Sequence, residues 1–200
     1  MTRNADRRQF LKGSAAAGLG LALGSRLAGS QERDPREGTP VPEAYGVPQG
    51  FSAPAIDTVR IGFVGVGLQG GSHVRNFLGI DGVEIKALCD VDEPRAKEVA
   101  EWVVEDGRPA PDLYTRGETD YKRLCERDDI DLVFNATPWK WHVPVCVEAM
   151  RTGKHTAVEV PAAYTIDGCW ELVETAEKRL RHCVMMENCC YGRREMMMLN

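Results

Sequence analysis

The chain has 200 residues, and its 25 Lys and Arg against 30 Asp and Glu give a formal charge of −5. A hydrophobic fraction of 43% excludes a disordered chain, and the acidic balance excludes a basic nucleic-acid-binding protein. The charge is distributed unevenly, because residues 1–30 hold five basic side chains and one acidic side chain. The first 30 residues therefore differ in kind from the rest.

An export signal is predicted at residues 1–30. The charged run Asp6-Arg7-Arg8-Gln9-Phe10-Leu11-Lys12 precedes a mildly apolar stretch of 12 residues, 13–24, and small residues follow at 28–30. That stretch is too short to cross a bilayer, which needs about 20 residues, so no stable membrane span is expected. The paired arginines before Phe-Leu-Lys resemble a bacterial twin-arginine (Tat) signal. We expect export by the twin-arginine machinery to the periplasm or beyond; an amphipathic amino-terminal helix is the alternative.

Residues 31–58 are predicted to be a linker or an arm that lies along the surface. They contain several glycines and little periodic apolar pattern. Their prolines are Pro35, Pro40, Pro42, Pro48 and Pro54. A folded body is expected to begin at residue 59.

From residue 59 onward, predicted strands alternate with predicted helices. Strands are expected at 59–64, 83–89, 112–114, 131–136, 155–160 and 182–187. Helices are expected at 69–78, 93–104, 120–127 and 143–151, and a last long helix, capped by Thr165, is expected to run to about 181. This alternation predicts right-handed crossovers and a doubly wound parallel sheet of the α/β class, covered on both faces. The last long helix carries one apolar stripe: Ile166, Cys169, Leu172, Val173 and Ala176.

A glycine-rich turn follows the first strand. Gly65-Val66-Gly67-Leu68-Gln69-Gly70 fits the pattern G-x-G-x-x-G between a strand and a helix. Gly65 permits a tight turn, Gly67 lets the backbone approach a pyrophosphate, and Gly70 allows close packing of helix on strand. The amides near Leu68 and Gln69 would receive the negative charge. A dinucleotide site is predicted, and a purely structural glycine turn is the alternative.

Asp90 ends the next strand, 20 residues after Gly70. Its carboxylate is expected to accept hydrogen bonds from the adenosine ribose and to repel a 2′-phosphate. Arg95, on the following helix, is the nearest cation. NAD is therefore predicted as the cofactor in preference to NADP.

Polar groups follow two later strands, where the carboxyl ends of a parallel sheet face a ligand. Thr137 and His142 are expected to meet the nicotinamide ribose or the phosphates, and Trp139 could cover the dinucleotide. A capping or merely exposed role is the alternative for His142. Glu159 could bind a ribose or the substrate, or it could cap the turn before the last long helix. Asn188 follows the last strand at the same edge.

The glycine pattern, the Ala136-Thr137-Pro138 segment and the later Gly153-Lys154-His155 stretch resemble the Gfo/Idh/MocA oxidoreductases. In that family a Glu-Lys-Pro motif is common where this chain has Glu159-Val160-Pro161, and the Lys helps to position or deprotonate a sugar hydroxyl. Glu-Val-Pro, together with Trp139-Lys140-Trp141-His142, resembles the glycoside hydrolase family 109 branch. The resemblance implies NAD contacts at Leu68, Gln69, Asp90, Trp139, Lys140, Trp141, His142, Glu159, Val160 and Asn188.

That branch implies hydrolysis of a glycoside, such as an α-N-acetylgalactosaminide, by transient oxidation, elimination, addition of water and re-reduction. The resemblance also implies a Rossmann-type NAD-binding domain at 59–190. Residues 191–200 would then start a second, α+β substrate domain, truncated here, which supplies most catalytic groups. A sugar dehydrogenase and a non-catalytic NAD-binding module are the alternatives. The partner is expected to be a small sugar or glycoside rather than nucleic acid. Catalytic residues and the oligomeric state, including a homo-oligomer, stay open, and histidine spacing predicts no metal site.

Overall fold

The computed structural model describes residues 52–187 and 192–198, and a six-stranded parallel sheet forms the centre of the domain. Its strands are β1 (Val59–Val64), β2 (Val83–Cys89), β3 (Asp112–Tyr114), β4 (Leu132–Asn135), β5 (His155–Val158) and β6 (Cys183–Met185). They lie in the order β3-β2-β1-β4-β5-β6, so the chain winds outward in one direction from β1 and in the other from β4. The predicted doubly wound α/β fold is confirmed, and its winding direction reverses between β1 and β4.

Helices connect the strands. They are α1 (Leu68–Leu78), α2 (Glu93–Glu105), α3 (Tyr121–Cys125), α4 (His142–Arg151), α5 (Ile166–Arg179) and α6 (Arg193–Met198), and a 3-10 turn at Trp139–Trp141 precedes α4. Three predicted strands are shorter than expected: 131–136, 155–160 and 182–187. β6 pairs with β5 through residues 183–185, and the charged Glu187 follows soon after this pairing ends.

The core lies on both faces of the sheet because successive strand side chains point to opposite faces. In β1, the buried Ile61 and Phe63 pack with residues of α1 and α2. Val64 points to the other face and packs with residues of α3 and α4. Both faces of the central strands are therefore covered, as the nearly continuous apolar runs of β1 and β4 require.

Helix α5 begins as predicted but buries a different face. The Thr165 hydroxyl accepts a hydrogen bond from the Gly168 amide at 3.0 Å and caps the first turn. The expected apolar stripe is only partly buried: Leu172 is 6% exposed, whereas Ile166 is 77% and Val173 46% exposed. A Cβ atom at Gly168 would lie 3.1 Å from Val143 on α4, so α5 approaches its neighbour along the Gly168 side. The buried positions of α5 are Gly168, Leu172 and Thr175.

Several predicted features lie outside the described residues. These are the export signal at 1–30, the linker up to residue 51, and Asn188. Within the described parts of the chain, no helix has both the length and the apolar character that crossing a bilayer requires.

Candidate functional site

The turn after β1 brings three backbone segments into close contact. Gly65 has φ +82°, and a Cβ atom there would lie 2.7 Å from the Ala136 carbonyl oxygen. A Cβ atom on Gly70 would lie 1.9 Å from the Gly65 carbonyl oxygen, which leaves no room for any side chain. At Gly67, by contrast, a Cβ atom would meet none of the described residues within 4 Å. The turn is therefore packed on its protein side and open at Gly67, where a ligand can approach the backbone.

The amino-terminal end of α1 faces the same opening. Gly67 is its N-cap residue, and among the described residues no side chain caps the first turn. Leu68 is 92% exposed, so the adjacent amides are not covered by a side chain packed over them. Uncapped amides and the positive end of the helix dipole suit an anionic group such as a pyrophosphate.

Asp90 follows the last residue of β2 and holds the glycine turn. One carboxylate oxygen accepts the Val66 amide at 2.7 Å, and the other accepts the Asp92 amide at 3.0 Å. A carboxylate has about four acceptor positions, so both oxygens can accept further hydrogen bonds. Asp90 also lines a cavity of about 220 Å³. Asp90 therefore supports the turn and keeps acceptor positions beside the cavity.

Arg95 on α2 is bound to the turn rather than directed at a ligand. Its Nε donates to the Val66 carbonyl at 2.9 Å, and a terminal nitrogen donates to the Gly67 carbonyl at 3.0 Å. The other terminal nitrogen pairs with Glu98 at 2.8 Å, and the guanidinium lies over the Trp102 ring. The nearest cation, which could have served a 2′-phosphate, is thus engaged on all three nitrogens.

The loop after β4 forms another wall of the cavity beside Asp90. Lys140 and Glu118 both line this cavity and form an ion pair at 3.1 Å. Trp141 packs edge-on against Tyr121, whereas Trp139 is 61% exposed. The predicted residues Thr137, Lys140 and Trp141 are therefore brought together with Asp90 around one cavity.

Buried polar side chains hold this loop in place. Asn135 ends β4, and its Oδ1 accepts the Thr137 hydroxyl at 2.7 Å while its Nδ2 donates to the His142 carbonyl at 3.1 Å. Neither Asn135 nor His142 is exposed, and the His142 ring lies between the carbonyl oxygens of Thr137 and Pro161. The ring of His142 therefore fastens the loop, which differs from the expectation that it meets the nicotinamide ribose or the phosphates. Sequence reasoning missed Asn135, although a polar residue closing an apolar strand was a usable signal.

A second polar cluster lies where β5 ends. Glu159 Oε1 accepts a hydrogen bond from Gln69 Nε2 at 3.1 Å and is also bound by His73 Nε2. Burial raises the pKa of the Glu159 carboxyl, but the hydrogen bonds from His73 and Gln69 outweigh burial and leave this pKa lowered. The Val160 amide lies 3.3 Å from the second carboxylate oxygen. The structure thus brings together Gln69, Glu159 and Val160, which the sequence predicted, and adds His73, which it did not.

Metal binding finds no support in the described part of the chain. Residues 52–187 and 192–198 contain no group of three His, Cys, Asp or Glu side chains arranged to hold an ion.

A doubly wound parallel sheet, an open glycine turn at a helix N-terminus and an acidic residue after the second strand define a dinucleotide-binding protein of the Rossmann type. The open Gly67 backbone and the cavity beside Asp90 fit such a ligand. Residues 59–187 match the family described as "Oxidoreductase family, NAD-binding Rossmann fold". The chain belongs to this family, the Gfo/Idh/MocA oxidoreductases, and the prediction of NAD as its cofactor is confirmed.

Curated relatives carry one shared name. A "Glycosyl hydrolase family 109 protein" of Shewanella pealeana is 45% identical over 195 residues, and one of Shewanella baltica is 44% identical over 197 residues. Each match covers 98% of this chain and 42% of the relative, so the chain spans less than half of the length of these relatives. Residues 4–24 match the twin-arginine translocation signal, and the chain is accordingly directed to export by that pathway, to the periplasm or beyond.

Solved structures share the fold. Scyllo-inositol dehydrogenase of Lactobacillus casei, solved with NAD(H) and scyllo-inositol, has a TM-score of 0.61 at 20% identity. The match covers 71% of this chain and 40% of that one. At this identity the likeness shows the fold alone.

Proposed function

We propose that the chain is the NAD-binding part of an exported glycosidase that hydrolyses glycosides such as α-N-acetylgalactosaminides through transient oxidation of the sugar. The observation that supports this most is the 43–45% identity to glycosyl hydrolase family 109 proteins along 98% of the chain. That identity exceeds the 20% shared with the inositol dehydrogenase, which supports the fold only.

The proposed cofactor contacts divide into two halves along the sheet. On the β2 side, Asp90 binds the adenosine ribose and the Gly67 backbone receives the pyrophosphate. On the β4 and β5 side, the nicotinamide half meets Thr137, Trp139 and Glu159. The remaining proposed contacts are Leu68, Gln69, Lys140, Trp141, Val160 and Asn188. His142, also predicted as a contact, is buried and would act by holding the loop after β4.

The cofactor is proposed to be NAD rather than NADP because of the charges around Asp90. The Asp90 carboxylate would repel a 2′-phosphate, and Lys140, a cation that lines the same cavity, is paired with Glu118 at 3.1 Å. Arg95 cannot neutralise a phosphate without releasing the glycine turn. A ribose with free hydroxyls fits this environment better.

Bound NAD⁺ supplies a hydride acceptor that returns the hydride within the same cycle, so the sugar undergoes no net oxidation. A protein of this kind needs no external pool of oxidised cofactor, which agrees with its twin-arginine signal. Val160 offers no proton-accepting group where a Lys is common in the family. The proton acceptor for the sugar is therefore proposed to come from another residue, and facing carboxylates of the usual glycosidase kind are not required.

The test is an assay of the intact, natively produced protein on an aryl α-N-acetylgalactosaminide. Release of the aryl alcohol without accumulation of NADH is the expected result, and hydrolysis should stop when NAD⁺ is removed and resume when it is returned. Steady accumulation of NADH would instead identify a sugar dehydrogenase. Binding of NAD⁺ without either reaction would identify a non-catalytic module.

A further inference from the structure

Helix α1 and the end of β5 meet through three polar side chains. His73 Nε2 and Gln69 Nε2 both reach Glu159 Oε1, the latter at 3.1 Å, although His73 and Glu159 are 86 residues apart in the chain. Only 17% of the His73 side chain and 14% of the Glu159 side chain are exposed. These contacts join α1, which begins at the glycine turn, to the end of β5, which lies two strands away from β1 in the sheet.

The imidazole of His73 is itself fixed. Its ring packs against Phe134 of β4, with the ring centroids 4.6 Å apart. Packing on one side and the carboxylate on the other leave the ring little rotational freedom, so His73 determines where Glu159 Oε1 lies. Gln69, which is exposed, lacks such packing and is the weaker of the two constraints.

The two oxygens of Glu159 are unequally engaged. Oε1 is held by His73 and Gln69, whereas the one hydrogen-bond partner of Oε2 within residues 52–187 and 192–198 is the Val160 amide, at 3.3 Å. A hydrogen bond at that distance is weak, so Oε2 keeps most of its accepting capacity. The lowered pKa of Glu159 keeps the carboxylate ionised, and an ionised acceptor makes stronger hydrogen bonds than a neutral one.

The cluster of Gln69, His73 and Glu159 and the Asp90 carboxylate lie on opposite sides of β1 in the strand order. The Glu159 amide donates to the Asn135 carbonyl at 3.0 Å, which places Glu159 beside the end of β4. In the strand order, β4 and β5 lie on one side of β1 and β2 lies on the other. A dinucleotide that crosses the reversal point with its adenosine half at Asp90 therefore has its nicotinamide half at Glu159.

We propose that His73 is a positioning residue for the nicotinamide half of NAD: it fixes the Glu159 carboxylate so that Oε2 accepts a hydrogen bond from the nicotinamide ribose. This inference rests on the proposed contact of Glu159 with the nicotinamide ribose but not on glycoside hydrolysis. It assigns His73 no contact with the cofactor; its effect is transmitted through Glu159.

Two substitutions separate hydrogen bonding from packing. His73→Phe keeps an aromatic ring on Phe134 but removes the donor to Glu159. His73→Gln restores a nitrogen donor of similar reach but removes the ring. We expect His73→Phe to weaken NAD⁺ binding about tenfold and His73→Gln, which keeps a donor but loses the packed ring, to recover part of that loss. AMP, which contains only the adenosine half, should bind with unchanged affinity in both variants.

The measurement is isothermal titration of the intact protein with NAD⁺ and with AMP, together with a thermal unfolding curve for each variant. Glu159→Gln should weaken NAD⁺ binding, and adding His73→Phe to it should cause little further loss, because both changes remove the same interaction. The inference is overturned if His73→Phe binds NAD⁺ normally, if it weakens AMP to the same extent, or if the two substitutions act additively.

The outcome for the unaltered protein distinguishes the two proposals. If it binds NAD⁺ but hydrolyses no glycoside, the proposed glycosidase activity fails and the role of His73 is judged from the variants alone. If it binds no NAD⁺, both proposals fail together.

Discussion

The Nδ1 atom of His142 lies 2.7 Å from the carbonyl oxygen of Pro161, which joins the start of α4 to the turn after β5. The other ring nitrogen lies 2.8 Å from the Thr137 carbonyl, and the side chain is fully buried. One imidazole therefore connects the two loops that follow β4 and β5. Both loops border the proposed nicotinamide half of the site, so the geometry of that half depends on a residue that does not face it.

Replacing this imidazole should reduce both stability and binding. In His142→Phe the carbonyls of Thr137 and Pro161 lose a buried polar partner, and we expect the free energy of unfolding to fall by about 2 kcal/mol. His142→Gln, whose amide can donate to one of the carbonyls, should recover part of that loss. Urea unfolding followed by circular dichroism measures both variants. An unfolding midpoint of His142→Phe equal to that of the original protein would contradict the structural role.

The glycine turn offers a matched pair of substitutions. Gly70→Ala places a methyl group 1.9 Å from the Gly65 carbonyl oxygen, and we expect it to destabilise the fold by about 3 kcal/mol. Gly67→Ala meets none of the described residues within 4 Å, so its unfolding midpoint should stay unchanged while its affinity for NAD⁺ falls. Thermal unfolding and titration with NAD⁺ distinguish the two effects. Normal NAD⁺ affinity in Gly67→Ala would mean that the pyrophosphate does not approach this residue.

Asp90→Asn tests the proposed contact with the adenosine ribose. The amide oxygen of Asn can still accept the Val66 amide, so the turn should persist, but the charged acceptor is lost. We expect about tenfold weaker binding of NAD⁺ and a smaller preference for NAD⁺ over NADP⁺. Asp92→Asn is the matched control, since Asp92 caps α2 by accepting the Arg95 amide at 3.3 Å. Equal loss of affinity in the two variants would argue against a specific role for Asp90.

The ion pair of Arg60 and Asp131 should make the free energy of unfolding depend on pH in the acidic range. Hydrogen bonds from Arg60, at 2.6 Å and 2.9 Å, hold the pKa of the Asp131 carboxyl below its ordinary value. A carboxyl with a lowered pKa stabilises the fold above its ordinary pKa of about 4, and this contribution is lost as the pH falls through the lowered value. We expect Asp131→Asn to cost about 1 kcal/mol near neutral pH and progressively less below about pH 4. Urea unfolding at several pH values measures this, and a difference that stays constant down to the lowest pH would refute it.

Export should depend on the paired arginines of the signal. Replacing Arg7 and Arg8 together by Lys keeps the charge but should leave the protein in the cytoplasm, because the pathway recognises the arginine pair. Arg33→Lys with Arg36→Lys, beyond the matched segment 4–24, is the control and should be exported normally. Cell fractionation followed by immunoblotting measures the distribution, and export of both double variants would contradict the assignment.

Much of the fold could be predicted because its signals are local. The strand at 59–64 and the glycine turn after it depend on neighbouring residues, and the observed β1 has those same bounds. The face that α5 buries could not be predicted in this way. An apolar stripe shows which side chains share a face, but Ile166 is exposed and Gly168 buried because α4 packs against the Gly168 side.

In the site, too, local features could be predicted from the sequence and long-range contacts could not. Asp90 and Glu159 follow strands, so their place at one edge of the sheet could be expected from the sequence. The bond between His73 and Glu159 could not, because it joins positions 86 residues apart that meet only once the sheet has formed. From the sequence, Arg95 could have bound a 2′-phosphate. Its hydrogen bonds to the Val66 and Gly67 carbonyls could not be predicted, because they depend on the folded turn.

The engagement of Arg95 constrains how the cofactor preference of this scaffold could be re-engineered. Substituting Asp90 removes the repulsion of a 2′-phosphate but provides no positive charge to attract one. Recruiting Arg95 for that purpose would detach it from the turn that is proposed to receive the pyrophosphate, so affinity gained at one phosphate would be lost at the other. A working conversion would need an unpaired cation near Asp90, either introduced at the exposed Val91 or obtained by releasing Lys140 from Glu118, with Arg95 left in place. The proposed preference for the unphosphorylated dinucleotide would therefore be a property of the whole turn and its anchor rather than of one acidic residue.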